Sequence, residues 1–144
     1  KLRVVNENLE SINEWFEAVE TAYKSTYGFE WQGDSLLLAR EALLITFIEN
    51  FTHKFEIEPT LESIQNIAQI ISWNIWQMDG LKGVIPNSCK EEFIEISDFF
   101  ETKTEIKKCK GCSTQNIKLH NGIYCTIMDW DIEKPIKFIS LLEK

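Results

Sequence analysis

The sequence predicts an α+β fold: a helical part of about four helices over residues 1–101, then a small three-stranded antiparallel, zinc-ribbon-like β unit over residues 102–144. Three observations carry this expectation. Apolar residues recur at spacings of three and four from Leu9 to Ile75, which is the period of a helix with one buried face. Asn121-Gly122 sits between two β-like runs, the strongest short-range hairpin signal. Cys109 and Cys112 form a Cys-x-x-Cys turn just before that hairpin, a spacing that suits a metal ion.

Leu9, Ile12, Phe16, Val19 and Tyr23 mark the first helix, roughly Asn8 to Ser25, which Gly28 ends. Phe29 to Gly33 is an aromatic loop. Asp34 is a good N-cap for a second helix running to about Lys54. Leu36, Leu37, Leu43, Leu44, Phe47, Ile48 and Phe51 make that helix strongly apolar, so much of it should be buried. Pro59-Thr60 starts a third helix, with Thr60 as cap and Glu62 where the helix dipole favours negative charge. Leu61, Ile64, Ile67, Ala68, Ile71 and Ile75 form its core stripe, and it stops before Gly80 and Gly83. Ser88 and Glu91 have capping-box spacing. They predict a short fourth helix carrying Phe93, Ile96, Phe99 and Phe100.

Glu101 to Lys110 is polar and lysine-rich and reads as a linker. Beyond it, Gln115 to His120 and Ile123 to Trp130 flank a type I′ turn at Asn121-Gly122. A second turn at Asp131 to Pro135 leads to a third strand, Ile136 to Ser140.

A chain of 144 residues is about one domain and long enough to bury a core. It contains no apolar run of membrane-spanning length and no signal-peptide pattern, so a soluble, cytoplasmic protein with no membrane partner is expected. It begins with Lys1 rather than Met, as a piece of a longer protein would. The net charge of −8 is uneven: −11 up to Glu101 and +3 from Thr102 onward. DNA affinity is largely Lys and Arg neutralising phosphates. The acidic helical part is therefore a poor phosphate surface. Any nucleic-acid contact belongs to the tail, through Lys103, Lys107, Lys108, Lys110 and Lys118.

The tail also carries the most specific chemical signal. In a two-residue hairpin His120 faces Ile123 and Lys118 faces Cys125. Strand side chains alternate between faces, which makes His120 and Cys125 diagonal neighbours. Cys109, Cys112, His120 and Cys125 then fill a closed tetrahedron, the mark of structural rather than catalytic zinc. Three short strands with little apolar surface need such a staple. A metal supplies folding free energy of about 10 kcal/mol or more in isolated fingers. The alternatives are a Cys109–Cys112 redox pair or free buried thiols, with His120 an ordinary turn residue. Cys89, near the expected helix start, reads as a plain buried thiol that could also replace His120 as fourth ligand.

Other polar residues are weaker candidates. Trp31, Gln32, Asp34, Arg40, Asn74, Gln77 and Asp79 could line a pocket or a subunit contact. The plainer reading, that the Trp rings are core and the amides cap a helix end, is favoured. Arg40 could pair with Asp34 or Asp79. Asp98, Glu105 and Lys107 faintly echo the carboxylate–lysine sets of metal-dependent nucleases, but they fall in the expected linker. No glycine-rich phosphate loop is present. The only histidines are His53 and His120, and no hydrolytic triad is evident.

Several stretches resemble a known family. These are Tyr27-Gly-Phe-Glu-Trp-Gln-Gly-Asp34, Leu36-Leu-Leu-Ala-Arg-Glu41, Trp73-Asn-Ile-Trp-Gln-Met-Asp-Gly-Leu-Lys-Gly83, His120-Asn-Gly-Ile-Tyr-Cys125 and Asp129-Trp130. Together they resemble the C-terminal part of bacterial restriction–modification proteins, described as restriction endonuclease or DNA adenine-methyltransferase subunits. The resemblance spans nearly the whole chain and is most specific in the two Trp-Gln segments. In that family the S-adenosylmethionine-binding segment lies upstream, and the methyltransferases carry an Asn/Asp-Pro-Pro-aromatic tetrapeptide. This chain has no Pro-Pro. The resemblance therefore implies an accessory role, packing on an upstream catalytic domain and helping to position DNA, with no S-adenosylmethionine bound here. A structural or protein-interaction module stabilised by zinc is the rival reading.

Overall fold

A computed structural model describes residues 5–6, 9–97 and 102–143. Helix α1 (Ile12–Lys24) buries Trp15, Val19 and Tyr23, residues four apart on one face. Helix α2 (Gly33–Phe55) buries Leu36, Phe47 and Phe51. Helix α3 (Leu61–Asn74) buries Ile67, Ile70, Ile71 and Asn74. These three faces meet in one core. Trp15 packs edge-on against Phe51, with ring centroids 5.5 Å apart. Its indole N–H donates to Asn6 Oδ1 at 2.7 Å, so the polar edge of a fully buried ring has a partner.

Thr60 caps α3 as its sequence predicts, with Oγ1 accepting from Ser63 N at 3.2 Å. At α2 the cap position is Gln32, and Asp34 sits inside the first turn. Its charge still complements the helix dipole there. The apolar sequence of α2 is not all covered: Leu37 and Leu38 are 64% and 66% exposed.

The segment expected to be an aromatic loop contains strand β1 (Gly28–Glu30), which pairs in parallel with β2 (Ile75–Gln77). Strand β2 continues directly from α3, and Arg40 makes that junction. Its Nε and Nη2 donate to Ile75 O at 3.0 and 2.7 Å, and Nη2 also donates to Ser72 O at 3.1 Å. Arg40 thus satisfies the carbonyls of a helix end instead of pairing with Asp34 or Asp79.

The expected fourth helix is a strand. Residues Glu92–Ser97 form β3, antiparallel to β4 (Thr102–Lys107) in the expected linker, with Phe93 opposite Ile106 and Ile94 opposite Glu105. Two physical reasons decide this. Ser88 Oγ accepts from Ile123 N at 3.0 Å and so caps no helix. The Lys90 N–H donates to Asn121 Oδ1 and its carbonyl accepts from Asn121 Nδ2, at 3.1 and 3.0 Å. With those backbone groups spent, the Ile-rich stretch that follows extends. Phe99 and Phe100 lie outside the described residues. The β3–β4 hairpin straddles the boundary expected at residue 101.

The expected three-stranded tail also differs. Helix α4 (Lys110–Thr114) and a 3₁₀ turn (Ile117–Leu119) occupy most of the first expected strand. A type I′ turn needs positive φ at both central residues. The described residues with positive φ are Glu56, Gly83, Asn87, Gln115 and Glu133, so Asn121-Gly122 is no such turn. Residues 123–125 instead pair with residues 83–85. Ile85 N donates to Ile123 O, Cys125 N donates to Gly83 O, and Val84 bridges Tyr124. Strand β5 (Thr126–Asp129) then pairs antiparallel with β6 (Lys134–Lys137), and the expected third strand ends in a 3₁₀ turn, Phe138–Glu143. The described strands form three two-stranded sheets.

Sheet β5–β6 is pinned to the helices. Buried Asn74 reaches the carbonyls of Tyr23, Lys24 and Thr26 through Nδ2, at 2.9, 3.1 and 3.2 Å. Its Oδ1 accepts from Trp130 Nε1 at 2.8 Å. Tyr27 Oη donates to Met128 O at 2.7 Å, and Phe29 packs edge-on against Phe138 at 5.0 Å. Replacing Asn74 with Ala strands several buried partners at once. We expect Asn74→Ala to lower unfolding free energy by about 3 kcal/mol, read as a lower urea midpoint. A loss below about 1 kcal/mol would show that the pin is dispensable.

Candidate metal centre

Three segments bring four side chains together in the chain's C-terminal half. Cys89 follows a tight turn at Pro86–Ser88, where Asn87 takes the left-handed conformation with φ 59°. Cys109 precedes α4 and Cys112 lies within it, so the three-residue spacing brings both side chains to one side of a helical turn. Gln115, also left-handed, turns the chain back through the 3₁₀ turn to His120. Cys109 and His120 are buried, and Cys89 and Cys112 are half-buried.

The ligand atoms of Cys89, Cys109, Cys112 and His120 all lie within 4.8 Å of one another. His120 Nδ1 stands 3.4 Å from Cys89 Sγ and 3.6 Å from both Cys109 Sγ and Cys112 Sγ. One ring nitrogen offers one proton or one lone pair, so it can form one ordinary hydrogen bond. Three sulfurs at nearly equal distance around it have instead the spacing that a shared metal ion would set. A tetrahedral zinc with bonds of about 2.3 Å to sulfur and about 2.0–2.1 Å to nitrogen sets sulfur–nitrogen edges of about 3.6 Å. The cluster could hold a metal ion.

The surroundings favour a thiolate at Cys109. Burial alone would push the Cys109 thiol up. The N–H groups of Asn121, Cys112 and Gly111, together with His120, outweigh burial and hold it down to about 6. The Asn121 N–H lies 3.3 Å from its sulfur. Cys89 moves the other way, to about 11, through burial and then the neighbouring Cys109 and Cys112. Without a cation the sulfurs resist carrying charge together.

Two glycines let the segments close. A Cβ on Gly111 would come within 2.6 Å of His120 Cγ, and one on Gly122 within 2.6 Å of Ser88 Oγ and 3.0 Å of Cys89 Sγ. Gly122 therefore serves close packing against the Cys89 loop. Tyr124 holds the His120 backbone: its Oη accepts from the His120 backbone N–H at 3.0 Å and donates to Ile117 O at 2.9 Å.

The structure thus brings Cys109, Cys112 and His120 together, and it puts Cys89 where the hairpin argument had put Cys125. Cys125 is buried elsewhere, its Sγ 3.4 Å from Gln77 O, and burial pushes its thiol up to about 11. With no hairpin at Asn121-Gly122, nothing sets Cys125 diagonal to His120. The available signal for Cys89 was its turn-forming Pro86-Asn87-Ser88 lead.

The other candidates disperse. Gln77 Nε2 donates to Trp31 O at 3.0 Å, reinforcing the β1–β2 pairing. Asp79 accepts from Leu81 N and pairs with Lys82 Nζ at 3.2 Å. Lys107, Lys108, Lys110 and Lys118 belong to exposed residues near the centre, and Lys103 lies in β4. Glu105 and Lys107 are exposed on β4, and Asp98 lies outside the described residues. No helix among the described residues is long and apolar enough to cross a membrane. Comparison with known proteins finds no matching family model, no matching curated protein and no matching solved structure.

The geometry separates the cysteines by experiment. Cys125→Ser should keep metal affinity within about threefold of wild type. Cys89→Ser should lose more than the roughly 10–100-fold that an outer partner's removal costs. Gly111→Ala should weaken binding by about 10–100-fold, because the new methyl displaces His120. Competition with a chromophoric chelator measures all three, and equal loss in Cys125→Ser and Cys89→Ser contradicts the assignment.

Proposed function

We propose that Cys89, Cys109, Cys112 and His120 hold one structural zinc ion that clamps the base of the β3–β4 hairpin. The observation that carries this is the placement of three sulfurs 3.4–3.6 Å from a single imidazole nitrogen. Soft thiolates with one imidazole favour zinc over hard cations. Four protein donors leave no position for water, so the ion's role is structural.

The clamp has a definite mechanical target. Cys89 lies just before β3 and Cys109 just after β4, so the ion joins both ends of the hairpin. The hairpin's described side chains are exposed apart from half-buried Ile94. A lone two-stranded hairpin is marginal in water, and the metal supplies what its own packing lacks. Sheet β5–β6 instead has Asn74, Tyr27 and Phe29 to hold it. Metal analysis should return one zinc per chain. Chelation should then speed amide exchange in residues 92–97 and 102–107 while α1–α3 stay protected. A metal-free protein whose hairpin amides remain slow would sink the proposal.

For the whole protein, the resemblance of Tyr27–Asp34 and Trp73–Gly83 favours an accessory portion of a restriction–modification methyltransferase or endonuclease. It would carry no active site of its own, S-adenosylmethionine would bind upstream, and DNA would be met beside the metal centre. Exposed Lys108 and Lys110 support that contact. Reversing both to Glu should weaken duplex binding and flatten the log–log salt dependence by about 2, near 0.9 per phosphate contact. Unchanged affinity and slope would leave a zinc-stabilised structural or protein-interaction module as the better reading.

A further inference from the structure

The β3–β4 hairpin carries an unpartnered edge and an uncovered apolar pair. Phe93 and Ile106 are cross-strand neighbours, 69% and 60% exposed. Among the described residues no strand lies beside the outer edge of β4. Open edges with apolar side chains invite another strand. The order of charges on β4 says which one.

We propose that β4 pairs antiparallel with β4 of a second copy of this chain, about a two-fold axis at Ile106. That register sets Ile106 against Ile106 of the copy. It sets Glu105 against the copy's Lys107, and Lys107 against the copy's Glu105. Opposite charges directly across strands stabilise a pair and like charges oppose it. On the other face, Phe93, Ile106 and the two equivalents form one apolar row across a four-stranded sheet, with strands about 4.8 Å apart. The contact is isologous, so it closes at two copies and does not grow into a fibre.

Rival registers are worse. A two-residue shift in either direction sets Glu105 against Glu105 or Lys107 against Lys107. A one-residue shift turns Ile106 against Glu105 or Lys107 and breaks the apolar row. Strand β3 carries Glu92 and Glu95, with Glu91 just before it, and repels its own copy. The interface depends on the hairpin being formed and not on which metal holds its base, so metal analysis tests the two proposals separately.

Sedimentation equilibrium of the metal-loaded chain, from about 10 to 500 µM, tests the pairing, since a small strand-edge contact is weak. Wild type should fit a monomer–dimer equilibrium. Ile106→Lys should remain monomeric throughout with an unchanged far-UV spectrum. Glu105→Lys and Lys107→Glu should each raise the dimer dissociation constant by about tenfold, each turning two attractive pairs into repulsive ones. Mixed together, those two variants become complementary and should associate within about threefold of wild type. A wild type that is monomeric throughout, a dimer indifferent to Ile106→Lys, or a mixture no tighter than its components would overturn the pairing. If Lys107→Glu perturbs the hairpin through its partner Glu92, Ile106→Lys and Glu105→Lys still decide the outcome.

Discussion

Bringing three sulfurs to one imidazole nitrogen constrains most of the C-terminal half of this chain. The segments that supply them must approach more closely than ordinary side chains permit. Gly111 yields room to His120, and Gly122 yields room to Ser88 and Cys89. Asn121 holds both backbone groups of Lys90, and its own N–H points at Cys109 Sγ. One residue therefore fixes the distance between the Cys89 loop and the imidazole and also supports a ligand. Outer partners of this kind orient a site, and here they are built from backbone contacts that leave little slack.

The same contacts divide the molecule energetically. Helices α1–α3 share an aromatic and aliphatic core that contains none of the four cluster residues. Sheet β5–β6 joins them through the Asn74–Trp130 bond and the Tyr27 and Phe29 contacts. Cys125, buried against Gln77, belongs to that joined half rather than to the centre. The hairpin belongs to the other half, because its strands rest mainly on each other. A tail starved of core is the natural expectation from composition. The structure moves the shortage from the last strands to residues 92–97 and 102–107.

What could be read from the sequence follows how local each signal is. The three long helices were legible because their apolar spacing and the Thr60 cap are local. Cys109 and Cys112 were legible for the same reason, whereas His120 was reached through a hairpin that the structure does not contain. Cys89 was hidden because it returns to the centre across a twenty-residue excursion, and no spacing rule covers that. The excursion was misread because Ser88 and Glu91 have capping-box spacing, while Ser88 actually bonds Ile123, thirty-five residues away. Asn121-Gly122 misled similarly: its side-chain amide and its missing Cβ are used for tertiary contact, so the local turn preference lost. Arg40 was expected to pair with Asp34 or Asp79, and its actual partners, carbonyls at a helix end, are invisible to charge counting.

Four donors around one ion would leave it no substrate position, so the proposed zinc would act mechanically. What it would hold out is a two-stranded hairpin with Phe93 and Ile106 uncovered. Exposing two large apolar side chains on an open β edge costs solubility, and charged residues usually blunt such an edge. Here the charges flanking Ile106 are of opposite sign. They repel most strands that could land on β4, yet they match the same strand inverted. An edge that is protected against strangers and complementary to itself is better explained as an interface than as an unguarded surface.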